Sequence, residues 1–383
     1  MSDTITPFSI AIADSALQDL QDRLATTRWP DPETTAGWEQ GIPLHYSREL
    51  AAYWAEDYDW RRCENKLNSW PQFTTNIDDI DIHFIHQPSP REDALPLILT
   101  HGWPDTVAGF YKIIDVLADP AAHGGRAEDA FHVVVPSLPG YGFSGKPGSP
   151  GTSAQKIGQM WGQLMARLGY DRYVAHGGDW GSIITQAMGQ TETQHCAGIH
   201  ITLPIVAPDP ATMDDLTPQE VSAMEAMAFY SDWDSGYSKL QSTRPQTLGY
   251  GLADSPVGQM AWIVEKFYAW TDCERDGVKH PEHVLSKDEM LDNVMFYWLN
   301  NAAASSARLY WESFNNPGME TIDIPVGCSI FPREIMRCSR RWAQQRFSKL
   351  IFWSEPEQGG HFAALEQPDL LVSDIRDCFR SLR

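Results

Sequence analysis

At 383 residues the chain has room for two or three domains, or for one with a large insertion. Acidic side chains outnumber basic ones 51 to 29, a formal net charge of −22, which excludes a basic footprint for nucleic acid or anionic lipid. With 42% apolar and 21% charged residues it carries enough material for a core, unlike a disordered chain.

No apolar run approaches the roughly 18 residues of a membrane span. The start, MSDTITPFSIAIADSALQD, has no cationic leader, so a cytoplasmic protein without a membrane anchor is expected. The six cysteines have neither C-x-x-C nor zinc spacing and read as free thiols. In DSALQDLQDRLATTRWPDP, Asp14 reads as a cap for a helix whose Leu17, Leu20 and Leu24 recur at helical spacing, and Pro30 and Pro32 end it. FTTNIDDIDIHFIHQ then alternates, with Ile80, Ile82 and Phe84 against Asp79, Asp81 and His83, as a half-exposed antiparallel strand pair does.

From Pro96 the pattern changes. LPLILT, FHVVVP, YVAHG and GIHITL are short apolar runs of the kind that form strands buried on both faces. They alternate with helix-like SAQKIGQMWGQLMARLG and SIITQAMG, which predicts a parallel α/β sheet. After Leu203 the chain turns helical, and strand-like IPVGCSIF and KLIFWSE follow near the end. The expected organisation is an N-terminal block with the first antiparallel strands (1–90), an α/β core in two parts (91–205 and 319–383), and a helical lid between them (206–318).

Gly177-Gly178-Asp179-Trp180-Gly181 lies between a predicted strand and a predicted helix. Small residues two before and two after Asp179 permit a sharp turn that lifts its side chain above the sheet, at a helix N-terminus that favours negative charge. Serine at such an elbow suits acyl transfer. A carboxylate instead attacks saturated carbon and leaves an alkyl ester that water can cleave at its carbonyl. Asp179 therefore points to opening an epoxide or expelling a halide, against the plainer reading of a helix cap.

That chemistry needs a base for water and donors for an oxyanion. Gly359-Gly360-His361-Phe362, after the last predicted strand, puts His361 where the order nucleophile, acid, histidine requires it. His101, His176 and His200 sit at strand ends. The first carboxylate after IPVGCSIF is Glu334, expected to orient His361, whereas Glu355 and Glu357 read as surface residues and Asp323 precedes its strand. Backbone N–H groups of Trp180 and of Trp103, in His101-Gly102-Trp103-Pro104, are the expected oxyanion donors. An epoxide would also need a proton donor, a task suited to tyrosine with its ordinary pKa of about 10, but spacing does not choose among 13 tyrosines.

These residues resemble the epoxide hydrolases of the microsomal and juvenile-hormone type. The resemblance runs from FSIAIADSALQDLQDRLATTRWP through HGWP, PSLPGYGFS and GGDWGS to GYSKLQSTRPQTLGYGLADSPVGQMAWIVEKFYAWTD, SSARLYWE, FPRE and GGHFAALEQP. HGWP and GGDWG alone are shared with haloalkane dehalogenases. The resemblance implies an α/β-hydrolase core with an inserted helical lid and an N-terminal wrapping segment. It places the nucleophile on Asp179, the relay acid on Glu334, the base on His361 and the ring-opening tyrosines on Tyr237 and Tyr310. Tyr230, Tyr250, Tyr268 and Tyr297 are left as core or surface aromatics. It further implies a small apolar epoxide as substrate, neither cofactor nor metal, and a homodimer. Asp105 departs from the glycine common after HGWP and is expected to cap the next helix or to bring charge near the pocket. The rival readings are a dehalogenase using the same aspartate and a non-catalytic binding protein, the latter expected to show a degraded constellation.

Overall fold

A computed structural model describes residues 3–314 and 318–383. The chain begins with β1 (Ile5–Phe8) and helices α1 (Asp14–Ala25), α2 (Leu44–Glu56) and α3 (Trp60–Leu67). Leu20 and Leu24 of α1 are buried, as their spacing predicts. Asp14 does not cap the helix: Ala13 holds that position, and the Asp14 carboxylate instead pairs with Arg61 at 2.5 Å.

The alternating segment forms β2 (Gln72–Ile77) and β3 (Ile80–Gln87), joined at Asp78 and Asp79, whose φ of 51° and 63° suit a two-residue hairpin turn. His83, expected on the exposed face, is fully buried. Its ring nitrogens bond Ser137 Oγ and Gln72 Oε1, so the loop beyond the sheet covers that face.

Next come β4 (Leu95–Thr100), α4 (Ile114–Ala118), β5 (Phe131–Pro136), α5 (Ala154–Arg167), β6 (Tyr173–Gly177), α6 (Asp179–Thr191) and β7 (Cys196–Ile201). Leu97, Ile98 and Leu99 of β4 and Val133, Val134 and Val135 of β5 are fully buried, which is what continuous apolar runs predict for central parallel strands. The chain then leaves the sheet through α7 (Pro218–Phe229), α8 (Gly236–Thr243), α9 (Pro245–Asp254), α10 (Pro256–Trp270), the hairpin β8 (Glu274–Arg275) and β9 (Val278–Lys279), α11 (Lys287–Leu299) and α12 (Ala303–Ser313). Reciprocal caps, Thr217 with Glu220 and Ser286 with Glu289, start α7 and α11. The chain returns as β10 (Ile322–Ser329), α13 (Arg340–Arg346), β11 (Phe347–Ser354), α14 (Ala363–Glu366) and α15 (Pro368–Phe379).

The nine-stranded sheet runs β1-β2-β3-β5-β4-β6-β7-β10-β11, parallel from β5 to β11 and antiparallel at the β1–β3 end. This is the α/β-hydrolase architecture with a mostly parallel sheet, as the sequence predicts. Strand β4 lies between β5 and β6, so successive connections depart to opposite sides at its carboxyl end. A crevice opens at such a reversal, and ligands bind there in open α/β sheets. The elbow after β6 and the His101–Pro104 loop after β4 meet at this point.

Candidate active site

Steric demands explain the elbow. Asp179 has φ +51°, a left-handed conformation that costs a non-glycine residue roughly 1–3 kcal/mol. A Cβ on Gly181 would fall 1.8 Å from the Thr100 carbonyl oxygen, and one on Gly177 would fall 2.1 Å from that of Gly181. The two small flanking residues thus let the turn press against the end of β4. A Cβ on Gly102 would fall 2.1 Å from Asp179 Oδ1, so the β4 loop also makes room for the carboxylate.

Two groups bond the Asp179 carboxylate, and a third donor lies beside it in the chain. Trp103 N–H donates to Oδ1 at 2.7 Å, and His361 Nε2 lies 3.3 Å from Oδ2. Trp180 N–H belongs to the first turn of α6, where backbone N–H groups lack intrahelical acceptors. On the far side of the imidazole, Nδ1 is 2.6 Å from Glu334 Oε1, and both side chains are buried. Their loops are joined directly, because Arg333 N–H donates to Gly359 O at 3.1 Å. The lid fixes the histidine loop from above, with His361 N–H donating to Trp270 O at 2.9 Å and the two rings 4.9 Å apart.

Burial by itself would push the His361 pKa down. The Glu334 and Asp179 carboxylates override it and hold the imidazole well above the ordinary histidine range. The other buried histidines have different tasks. His101 accepts from Leu138 N–H at 3.2 Å while its Nδ1 meets Gly102 O, and burial takes it down to about 4. His176 and His200 bond one another at 2.9 Å.

Tyr237 on α8 and Tyr310 on α12 close the site from the lid. Tyr237 stacks on Trp103 at 4.9 Å and 13°, and Tyr310 meets the Trp180 ring edge-on at 4.8 Å. Burial pushes both phenols well above the ordinary tyrosine range. The Tyr310 hydroxyl makes no well-formed hydrogen bond to any described residue. With Asp179, these tyrosines border a cavity of about 260 Å³ whose other walls include Trp180, Ile183, Leu203, Ile205, Phe314, Ile335 and Met336. All seven residues expected at the site are therefore within one constellation.

Tyr230, set aside by the sequence as a core or surface aromatic, also lines this cavity, and its hydroxyl is 3.1 Å from that of Tyr237. The available signal was its spacing of seven residues, two helical turns, from Tyr237. Asp105 does not cap the next turn, a role taken by Thr106. Its carboxyl accepts from Thr106 N–H, sits over Gly109, and borders a second cavity of about 30 Å³ together with Asp179 and His361. Desolvation pushes it up to about 7. Among the described residues no group of His, Cys, Asp and Glu has metal-binding geometry, and no helix is long and apolar enough to cross a membrane.

Residues 5–110 match the profile of the epoxide hydrolase N terminus, and residues 96–229 match that of the alpha/beta hydrolase fold. A Stigmatella aurantiaca relative is 53% identical over 99% of this chain and 86% of its own. Epoxide hydrolase 1 of Sus scrofa is 35% identical over 98% of this chain and 88% of its own. The structure of Aspergillus niger epoxide hydrolase superposes with a TM-score of 0.89 at 32% identity, covering 99% of this chain and 97% of that one.

Proposed function

The chain belongs to the epoxide hydrolase family of the α/β-hydrolase fold, and from that premise we propose that it adds water to a small apolar epoxide through an ester on Asp179. The observation that carries this reading is the Asp179 carboxylate, held by Trp103 N–H and His361 at the floor of an apolar cavity roofed by tyrosines.

Tyr237 and Tyr310 hydrogen-bond the epoxide oxygen. Asp179 Oδ2 attacks one ring carbon from the opposite side, the C–O bond breaks, and a tyrosine proton passes to the departing alkoxide. Alkoxides are far more basic than a phenolate, so even a phenol raised by burial transfers its proton. A departing halide would need no such donor, and the tyrosine pair therefore favours an epoxide.

Ester formation removes the Asp179 charge, one of the two that keep His361 protonated. The imidazole then releases its proton to solvent and becomes a base, and Glu334 continues to orient it. The cavity of about 30 Å³ beside Asp179 and His361 is large enough for a water molecule. Water attacks the ester carbonyl, its proton goes to His361, and Trp103 and Trp180 N–H groups hold the oxyanion until the vicinal diol leaves. The free, buried state of all six cysteines fits the expected cytoplasmic location.

A single turnover in oxygen-18 water, with enzyme in excess over styrene oxide, tests the covalent route. The first diol should be unlabelled, with label in Asp179; labelled first-turnover diol would mean direct attack by water. The double variant Tyr237→Phe, Tyr310→Phe should lose ring opening, and retained opening would remove the tyrosines from the mechanism.

A further inference from the structure

We propose that Tyr230 is the proton-relay partner of Tyr237, a positioning residue that makes Tyr237, and not Tyr310, the tyrosine that transfers its proton to the opening epoxide. This inference rests on the ring-opening reading given above.

The Tyr237 hydroxyl has one hydrogen, and in a productive complex that hydrogen points at the epoxide oxygen. The 3.1 Å contact between the Tyr230 and Tyr237 hydroxyls must then run from Tyr230 as donor to Tyr237 Oη as acceptor. Ser238, which donates its own proton to Ser235 O at 2.8 Å, offers its oxygen as a competing acceptor for the Tyr230 hydrogen, but at the longer 3.4 Å. The Tyr310 hydroxyl has no well-formed hydrogen bond to a described residue, and its phenolic neighbour is Tyr237 itself. Behind Tyr237 stands a phenol that is not itself aimed at the substrate, whereas the phenol beside Tyr310 is Tyr237, the other lid donor.

The backbone is built to hold this pair. Helix α7 ends in a wider π turn over Tyr230–Asp234, a local rearrangement frequent at functional sites. Asp234, which ends the turn, is clamped by Lys266 Nζ at 3.0 Å and Trp270 Nε1 at 2.5 Å. Lys266 Nζ also lies 4.7 Å from the Tyr237 ring centroid. The charged or titratable groups that face Tyr230 are thus Asp179, Asp234, Tyr237 and Tyr310, with Lys266 paired to Asp234.

The relay closes as follows. As the Asp179–carbon bond forms and the ring C–O bond breaks, the Tyr237 proton moves to the alkoxide. The Tyr230 proton moves to Tyr237 Oη, leaving the phenolate on Tyr230. Tyr230 is only partly buried whereas Tyr237 is 5% exposed, so the charge ends nearer solvent, which returns a proton to Tyr230. The proton that His361 releases to solvent as the ester forms balances the one that solvent returns to Tyr230. In the second half His361 regains a proton from the attacking water, and the sum is epoxide plus water to diol. Burial raises both phenols, Tyr237 further than Tyr230, which agrees with a proton moving from Tyr230 to Tyr237.

The test is the pH profile of kcat/KM on styrene oxide for wild type, Tyr230→Phe and Tyr237→Phe, each as the full chain. The relay expects ring opening in wild type to end at high pH when Tyr230 ionises, because its phenolate would then capture the Tyr237 proton. Tyr230→Phe, which keeps the ring and removes one oxygen, should lower the plateau about tenfold and move the alkaline limb up by about one pH unit. An alkaline limb unmoved in Tyr230→Phe, with ring opening lost in Tyr237→Phe, overturns the relay and leaves the ring-opening reading standing. Ring opening in Tyr237→Phe at the wild-type rate overturns the relay and leaves Tyr310 as the donor; retained opening in the Tyr237→Phe, Tyr310→Phe double variant overturns the ring-opening reading itself.

Discussion

Asp179 meets two demands that conflict: a left-handed backbone, which glycine would satisfy at less cost, and a carboxylate above the end of β6. The conflict is resolved by neighbours, since Gly177 and Gly181 leave the turn no bulk of its own. Gly181→Ala would set a methyl group 1.8 Å from the Thr100 carbonyl and 2.9 Å from that of His101, both on the strand exit that carries Trp103. A displacement near 1 Å costs about 100-fold in rate, so kcat/KM on styrene oxide should fall by about that factor with a lower melting temperature. His361 gives a second prediction at this scale. In the free enzyme two carboxylates hold it protonated above the ordinary range. In the proposed ester one of them would be neutral, so the His361 pKa would be lower and hydrolysis by a neutral base would persist to lower pH. The acid limb of ester hydrolysis in single turnover should lie below the His361 midpoint followed by NMR in the free enzyme; coincident midpoints would refute the switch.

Helix α7 shows how the lid is anchored at the level of an element. Glu220 closes the α7 capping box and also takes Arg341 Nε and Nη2 at 2.6 and 2.5 Å and Ser339 Oγ at 2.6 Å, from the start of α13. These hydrogen bonds, with Arg341 first, draw its carboxyl down to about 2 from an ordinary 4.5. A depressed folded-state pKa stabilises above the unfolded value and loses that effect as pH falls through the folded one. The difference in melting temperature between wild type and Glu220→Gln should be full above about pH 4.5 and vanish toward pH 2. A gap independent of pH would remove the charge from the anchoring. Tyr230 explains why this region was hard to read: its seven-residue spacing from Tyr237 was visible, but the π turn between them follows no sequence period.

Across the whole molecule, the N-terminal helices are a clamp on the lid rather than a separate body. Tyr58 Oη and Arg62 Nη2 donate to Asp292 Oδ1 on α11 at 2.8 and 2.6 Å, and Trp38 stacks on Tyr268 of α10 at 4.1 Å. Asp292 is 1% exposed, so removing its cation strands a buried carboxylate. Arg62→Ala should cost about 2 kcal/mol in a denaturant titration, and a change near zero would show that the clamp does not bear on stability. The long sequence separation of these partners, 230 residues for Arg62 and Asp292, is why composition and periodicity could not reveal the contact.

Chain-local physics was enough for the alternation of strands and helices and for the sharp turn at Asp179, whereas Glu334 and His361 were expected from the order such residues take along this kind of sheet. The first two rest on residue spacing or on chemistry confined to a few neighbouring positions. Tyr237 and Tyr310 were reached only through family resemblance, because thirteen tyrosines are equivalent to a local reading. Only the tertiary structure decided that His83 is buried, that Asp105 shares a cavity with Asp179 and His361, and that Tyr230 stands behind Tyr237. Those outcomes depend on which surfaces meet when the lid closes over the sheet, and contacts of that kind are set by packing between distant segments.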